Sequence, residues 1–294
     1  MVRHTLALAL AASLGFASTA AFAAGETPQP PQQNWTFSGP FGKFDRAQLQ
    51  RGFKVYREVC QSCHGMTLLS FRNLAEPGGP EFSVAQARQI ASEYKVQDGP
   101  NEQGEMFERD GRLADRFPAP YKNENEARSR YNAVPPDFST IAKARTYERG
   151  FPWFVLDIFT QFQEQGVDYI TALMLGYEEK PPQGVSIPQG LSYNKYFPGH
   201  AIAMPKPLED GRVTYDDGAP QTLDQYSKDV SAFLMWVAEP HLEARKRLGM
   251  QVIIFLLVLA GLLYYTKKKV WKQVELRPED LTPRPTGSAE YRKH

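Results

Sequence analysis

Cysteine is scarce in this sequence. The 294 residues include only two cysteines, so a framework of several disulfides is excluded. An excess of either charge is also missing, because 34 basic residues offset 33 acidic ones and the formal net charge is +1. A chain without a basic excess gives no indication of a nucleic-acid partner. Strand signals are few, and VTYDDG, residues 213–218, is the only strand-and-turn candidate.

Both cysteines lie in CQSCH, residues 60–64, where His64 directly follows the second cysteine. The pattern is typical of c-type haem attachment, in which two thiols add to the porphyrin and the histidine ligates the iron. A thioredoxin-like pair needs a βαβ context that the sequence does not predict, and a structural zinc site needs a second ligand pair. The motif therefore predicts one covalently bound haem c on Cys60 and Cys63, with His64 as an iron ligand.

The amino-terminal segment has the features of a secretory signal peptide. Arg3 and His4 precede a short apolar run, and Ala21-Phe22-Ala23 resembles a small-x-small cleavage site. A first membrane helix is the alternative, but the run is short. We expect residues 1–23 to be a signal peptide and the mature chain to begin near residue 24.

A second apolar run, residues 248–265, contains 18 residues without a charge. As a helix it would extend over roughly 27 Å, close to the thickness of a hydrocarbon core. It is apolar on every face, which favours a transmembrane anchor over a buried globular helix. Basic residues flank it on both sides and decide little about orientation. The signal peptide instead predicts that residues 24–247 are exported and that residues 266–294 form a short cytoplasmic tail.

The exported part is predicted to be mainly α-helical with long loops. Helices are expected over residues 45–59, 83–94, 123–131, 151–165, 167–176 and 222–240. Asp45 and Thr222 are good N-caps. Gly52 lies in mid-helix, where it costs about 1 kcal/mol against alanine, so we expect another backbone to pack closely there.

The motif leaves open what binds the other face of the iron. Met204 and His200 lie in one loop, GHAIAMPKPL, and either side chain could reach the iron; an open site is the third alternative. A thioether ligand raises the reduction potential and suits an electron carrier, which favours Met204. Met174 and Met235 lie in apolar helical stretches, where methionine usually fills a core. His241 is expected to be a solvated surface residue.

Longer stretches of the chain resemble the cytochrome c1 family, the haem subunits of cytochrome bc1 complexes (ubiquinol–cytochrome c oxidoreductases). The resemblance rests on RGFKVYREVCQSCHGM, FRNL, VPPDFSTIAKAR, DYITALMLGY, YNKYFPGHAIAMPKPL and the stretch from VTYDDG to KRLG. These segments and the anchor follow the family's order over nearly the whole mature chain. The resemblance implies a class I cytochrome c-like haem domain with long loop insertions and one C-terminal transmembrane helix.

The same resemblance implies roles for individual residues. His64 and Met204 would be the axial ligands, and Arg145 would lie near a haem propionate. Pro135 and Pro136 would form a rigid wall beside the haem. No residue is expected to be catalytic, because the chain would perform no substrate chemistry of its own. An aromatic-rich segment, residues 146–166, is longer than in the mitochondrial relatives and lacks the cysteine pair of some bacterial ones.

The implied function is one-electron relay in an electron-transport chain, either a respiratory chain or a photosynthetic one. Electrons would arrive from a Rieske iron–sulfur subunit and leave to a soluble cytochrome c, beside a cytochrome b subunit in a dimeric complex. The expected location is the bacterial inner membrane, with the haem domain on the periplasmic side, the anchor in lipid and the C-terminus in the cytoplasm. A stand-alone tethered cytochrome and a haem enzyme or gas sensor are the alternatives.

Overall fold

The structure is a computed structural model that describes residues 28–147, 149–160 and 162–272, without the side chains of residues 158 and 159. The predicted signal peptide, residues 1–23, lies outside the described residues, as do residues 273–294 of the predicted tail. The described part is mainly helical, as predicted.

The first helix, α1, is Arg46–Glu58, and it begins where the sequence predicts. The carboxylate of Asp45 caps it by accepting a hydrogen bond of 3.2 Å from the Gln48 amide. The chain then enters a short 3₁₀ turn, Cys60–Ser62. The following helices are a second 3₁₀ segment (Phe71–Ala75), α2 (Val84–Ser92), α3 (Glu124–Tyr131), α4 (Ile141–Ala144), α5 (Trp153–Thr160), α6 (Gln165–Leu175) and α7 (Leu223–Ala238).

The strands do not lie where the sequence predicts one. Strands β1 (Lys95–Asp98) and β2 (Phe107–Asp110) form an antiparallel hairpin in which Lys95 pairs with Asp110. A second small pair joins β3 (Ser192–Tyr193) to β4 (Ala201–Ile202). The VTYDDG segment contains no strand, so that prediction is wrong. Tyr215, within this segment, is instead buried and bonded to Asp229 of α7 at 2.9 Å.

The core is built where α1 crosses α7, and α6 packs against α7 beside it. Aromatic side chains meet at the crossing: the rings of Phe53 and Phe233 have centroids 5.6 Å apart, and Phe233 lies 5.7 Å from Trp236. Gly52 allows the close approach, because a Cβ there would lie 2.1 Å from the backbone oxygen of Asp229. The predicted close packing at Gly52 is confirmed.

The last helix, α8, is Leu242–Trp271. Among the described residues it is the one helix long and apolar enough to cross a membrane. Its apolar side chains are largely exposed, with Phe255 at 64 % and Leu257 at 69 %. An uncovered apolar surface of this length fits a hydrocarbon core.

Candidate functional site

One cavity of about 600 Å³ brings together residues from distant parts of the chain. Its wall includes the end of the CQSCH turn, the segment before α4, one face of α6 and the loop that follows β4. Six of the predicted site residues line it: Cys63, His64, Pro135, Pro136, Arg145 and Met204. Its volume lies within the usual range of cofactor and ligand sites.

His64 is held in one orientation by its surroundings. Its Nδ1 lies 2.8 Å from the carbonyl oxygen of Pro136, so the ring donates its Nδ1 proton there and Nε2 keeps its lone pair. The ring stacks on Phe138 with centroids 4.1 Å apart. Burial lowers the pKa of His64, which keeps the imidazole neutral. A neutral, oriented imidazole is suited to ligating a metal.

The two cysteines occupy different surroundings. Cys63 lines the cavity, whereas Cys60 is not among the lining residues and packs partly against the hydrophobic core. The carbonyl oxygen of Cys60 accepts hydrogen bonds from the amides of Cys63 (3.1 Å) and His64 (2.9 Å), which closes the turn. Burial raises the pKa of the Cys60 thiol to about 12. The turn therefore presents Cys63 and His64 to one space, with Cys60 one turn earlier.

Met204 and His200, the two candidates for the second ligand, are separated by the fold. Met204 is half-buried and lines the cavity, and its carbonyl oxygen accepts a hydrogen bond of 3.0 Å from the Tyr177 hydroxyl. His200 is not among the lining residues. Its Nδ1 lies 3.2 Å from the carbonyl oxygen of Asn194, and its ring stacks on Tyr193. The geometry favours Met204.

Arg145 and the two prolines contribute the charged and rigid parts of the wall. Arg145 follows α4 directly, and its amide donates a 3.0 Å hydrogen bond to the carbonyl of Ile141. It provides a positive charge at the cavity. The carbonyl oxygen of Pro135 accepts a hydrogen bond of 2.9 Å from the Tyr121 hydroxyl. The carbonyl oxygen of Pro136 accepts the hydrogen bond from Nδ1 of His64. Both prolines are thus tied to side chains from other segments.

Several residues of the site were missed by sequence reasoning. Met174 packs against the hydrophobic core, as expected, but it is only half-buried and also lines the cavity; Met235 is fully buried, as expected. Met174 lies four residues from Ile170 along α6, so helical spacing could have indicated that both residues face the cavity. The other lining residues that were not predicted include Tyr131, Phe138, Tyr169, Ile170, Leu173, Phe197 and Ile202.

The residues that line the cavity fit a haem. The lining is dominated by apolar and aromatic side chains, which suit the faces of a porphyrin. A histidine with its Nδ1 already bonded, a methionine thioether and a cysteine thiol border the same space. Imidazole and thioether are the usual axial pair of an electron-transferring cytochrome c. Among the described residues no group of three or more His, Cys, Asp or Glu side chains is placed to hold a metal ion.

Comparison with known proteins agrees with this geometry. The Cytochrome C1 family model matches residues 35–274. The chain is 66 % identical over 244 residues to "Cytochrome b/c1" of Bradyrhizobium diazoefficiens, a match covering 83 % of this chain but only 36 % of that relative. It is 52 % identical over 277 residues to "Cytochrome c1" of Blastochloris viridis, covering 93 % of this chain and 97 % of the relative.

A more distant relative is "Cytochrome c1, heme protein, mitochondrial" of Saccharomyces cerevisiae, 41 % identical over 248 residues. That match covers 84 % of this chain and 74 % of the yeast protein. Bacterial and mitochondrial proteins named cytochrome c1 thus align with most of the chain. All the residues that line the cavity lie within the range that the family model matches. The chain belongs to the cytochrome C1 family.

Proposed function

We propose that this protein relays single electrons as the haem subunit of a quinol–cytochrome c oxidoreductase. The observation that carries the proposal is the cavity in which His64 and Met204, 140 positions apart in the sequence, border the same space. A haem bound there would supply a reversible ferric–ferrous couple. The protein's own task is to hold the cofactor, set its potential and exclude water.

Cys60 and Cys63 would hold one haem c through thioether bonds, and His64 and Met204 would ligate its iron. The bond from His64 Nδ1 to Pro136 supports this assignment, because it fixes the ring and directs Nε2 to a metal. Arg145 would pair with a propionate, since its guanidinium is a charge complement at the cavity wall. Pro135 and Pro136 would form the wall against the porphyrin.

The proposed partners are a cytochrome b subunit, a Rieske iron–sulfur subunit that donates electrons and a soluble cytochrome c that accepts them. The name of the Bradyrhizobium relative, "Cytochrome b/c1", and that of a Candida albicans relative, "Cytochrome b-c1 complex catalytic subunit, mitochondrial", support membership in such a complex. The family resemblance supports a dimeric assembly. No catalytic side chain is needed for this role.

The proposed location is the bacterial inner membrane, with residues 24–247 on the periplasmic side and residues 266–294 in the cytoplasm. The exposed apolar surface of α8 supports a single lipid-embedded span at residues 248–265. The chain divides into two compact units after Ala244, which supports a haem domain followed by a separate anchor. The predicted cleavage site after Ala23 supports export.

The test is a ferric absorption spectrum and a redox titration of the full-length protein, with Met204→Leu and with Met174→Leu as the matched control. We expect the thioether–iron band to disappear and the potential to drop in Met204→Leu only. The band should persist in Met174→Leu, because that thioether contributes packing. If Met204→Leu leaves the band and the potential unchanged, the assignment of Met204 is wrong.

Two further measurements separate the proposal from its alternatives. Purification should recover b-type haem and a Rieske centre with this chain, whereas a stand-alone tethered cytochrome would purify without them. The reduced protein should also bind carbon monoxide poorly. Rapid binding would indicate an open iron site and hence an enzyme or gas sensor.

A further inference from the structure

Two side chains fasten the Met204 loop to the end of α6. The loop runs from β3 to Met204, and the chain just after α6 lies beside both of its ends. Tyr177 and Asn194 face each other in an isolated antiparallel bridge, and the Lys195 amide donates a 2.8 Å hydrogen bond to the Gly176 carbonyl. These backbone contacts fix the position of the loop relative to the segment that follows α6.

Asn194 secures the start of the loop. Its side chain is fully buried, and its Nδ2 donates a hydrogen bond of 2.7 Å to the carbonyl of Leu173. Its Oδ1 accepts hydrogen bonds from the amides of Tyr196 (3.0 Å) and Phe197 (3.2 Å). A buried amide with donor and acceptor both engaged rigidifies its surroundings. Leu173 and Phe197 also line the cavity, so this attachment reaches the site.

Tyr177 secures the other end. Its hydroxyl donates a 3.0 Å hydrogen bond to the carbonyl oxygen of Met204 itself. A tyrosine hydroxyl carries its proton over the physiological pH range, so it acts as a donor here. The bond fixes the backbone from which the thioether extends. With Asn194 holding the beginning of the loop and Tyr177 its end, the Met204 side chain is presented from a pre-organised backbone.

His200 is restrained in the same loop. Its backbone adopts a positive φ of 61°, and its ring is engaged by the Asn194 carbonyl and by Tyr193. The Asn194 carbonyl therefore restrains the His200 imidazole, while the Tyr177 hydroxyl fixes the backbone of Met204.

We propose that Tyr177 is a positioning residue that holds the Met204 thioether at the haem iron, with Asn194 fastening the start of the same loop. The inference rests on the proposed function, in which Met204 is the axial ligand. Without the Tyr177 hydroxyl, the Met204 backbone gains freedom and its thioether competes less well with added ligands. A variant without this hydroxyl lacks one hydrogen bond that favours the thioether as ligand. The equilibrium in which an added ligand replaces the thioether should therefore shift toward the added ligand by the contribution of that bond.

The experiment compares wild type, Tyr177→Phe and Tyr196→Phe in the full-length haem-loaded protein. Tyr196→Phe is the matched control, since it removes a hydroxyl from the same loop while the bond to the Met204 carbonyl stays. Ferric samples are titrated with imidazole, following the thioether–iron band and the potential. We expect Tyr177→Phe to raise the imidazole association constant by roughly three- to tenfold. Its band should weaken and its potential fall, while Tyr196→Phe behaves as wild type.

The outcomes separate this inference from the function on which it rests. A wild-type protein without a thioether–iron band overturns the proposed function and this inference with it. A wild-type band with the same imidazole affinity in Tyr177→Phe overturns the inference alone. If Tyr177→Phe does not accumulate, a ring-fluorinated tyrosine at position 177, a stronger hydrogen-bond donor of nearly the same shape, should lower the imidazole affinity. An unchanged or raised affinity there overturns the inference.

Discussion

Gly52 of α1 lies so close to Asp229 of α7 that a Cβ at position 52 would be 2.1 Å from the Asp229 backbone oxygen and 2.6 Å from Cβ of Phe233. Neither neighbour can give way easily, because one atom is backbone and Phe233 is fully buried. The distance between the two helices that form the core thus depends on a residue without a side chain.

We expect Gly52→Ala to destabilise the protein by about 3 kcal/mol. Alanine would otherwise favour the helix by about 1 kcal/mol, but overpacking against a backbone costs more. Chemical unfolding in detergent measures the change. Gly249→Ala is the control, since a Cβ at that helical position meets nothing within 4 Å. If Gly52→Ala were as stable as wild type, the close contact between α1 and α7 at Gly52 would be contradicted.

Asp137 fastens the segment that carries Pro136 and Phe138 to the turn after His64. It accepts 3.0 Å hydrogen bonds from the amide and the hydroxyl of Thr67, and one of 2.8 Å from the Ser139 amide. Burial alone would raise the pKa of Asp137, but the hydrogen bonds from Ser139 and Thr67 outweigh burial and lower it.

A lowered carboxyl pKa contributes stability above the unfolded pKa, and this contribution is lost as the pH falls through the folded pKa. Asp137→Asn should therefore cost about 1–2 kcal/mol at pH 7, and the difference from wild type should shrink below about pH 4. Unfolding midpoints across this range provide the measurement. A difference that is independent of pH would show that the charge of Asp137 is not involved.

Asp168, at the start of α6, should show the opposite pH dependence. Its Oδ1 accepts hydrogen bonds from the Trp35 indole (2.8 Å) and the Gln33 amide (3.0 Å), and burial raises the pKa of Asp168 to about 6. The ionisable groups that act on it are Tyr147, Arg149 and Glu164.

With a raised pKa, the folded state binds more protons than the unfolded state between about pH 4 and 6. The Asp168 contribution to stability is therefore lost as the pH rises through this range, by up to roughly 3 kcal/mol. Asp168→Asn keeps the Oδ1 acceptor and should remove this dependence. The measurement is the stability difference between wild type and variant from pH 4 to 7. A constant difference would contradict the raised pKa.

Arg145 should raise the reduction potential if it pairs with a propionate. Loss of a nearby positive charge favours the ferric form, so Arg145→Gln should lower the midpoint by an amount on the order of 60 mV, equivalent to 1.4 kcal/mol for one electron. Arg145→Lys keeps the charge and should retain most of the potential. A redox titration that finds Arg145→Gln unchanged would remove Arg145 from the propionate assignment.

Local features were predicted well from the sequence. At both N-caps, Asp45 and Thr222, the side chain accepts a hydrogen bond from an amide three residues later. Because the two partners are close in the sequence, the local pattern is enough to predict the cap. The β1–β2 hairpin was missed because its strands are short, polar and exposed, without the alternation that identifies a strand. The expected helix over residues 151–165 ends at Thr160, five residues early.

The sequence by itself determined the CQSCH turn, the apolar run of α8 and the restriction of the second ligand to a few candidates. These depend on neighbours in the chain and on composition. Only the tertiary structure decided that Met204 and not His200 borders the cavity, that Met174 joins it, and that Phe138 stacks on His64. Such contacts join residues tens of positions apart, and the packing of α4, α6 and α7 brings them together.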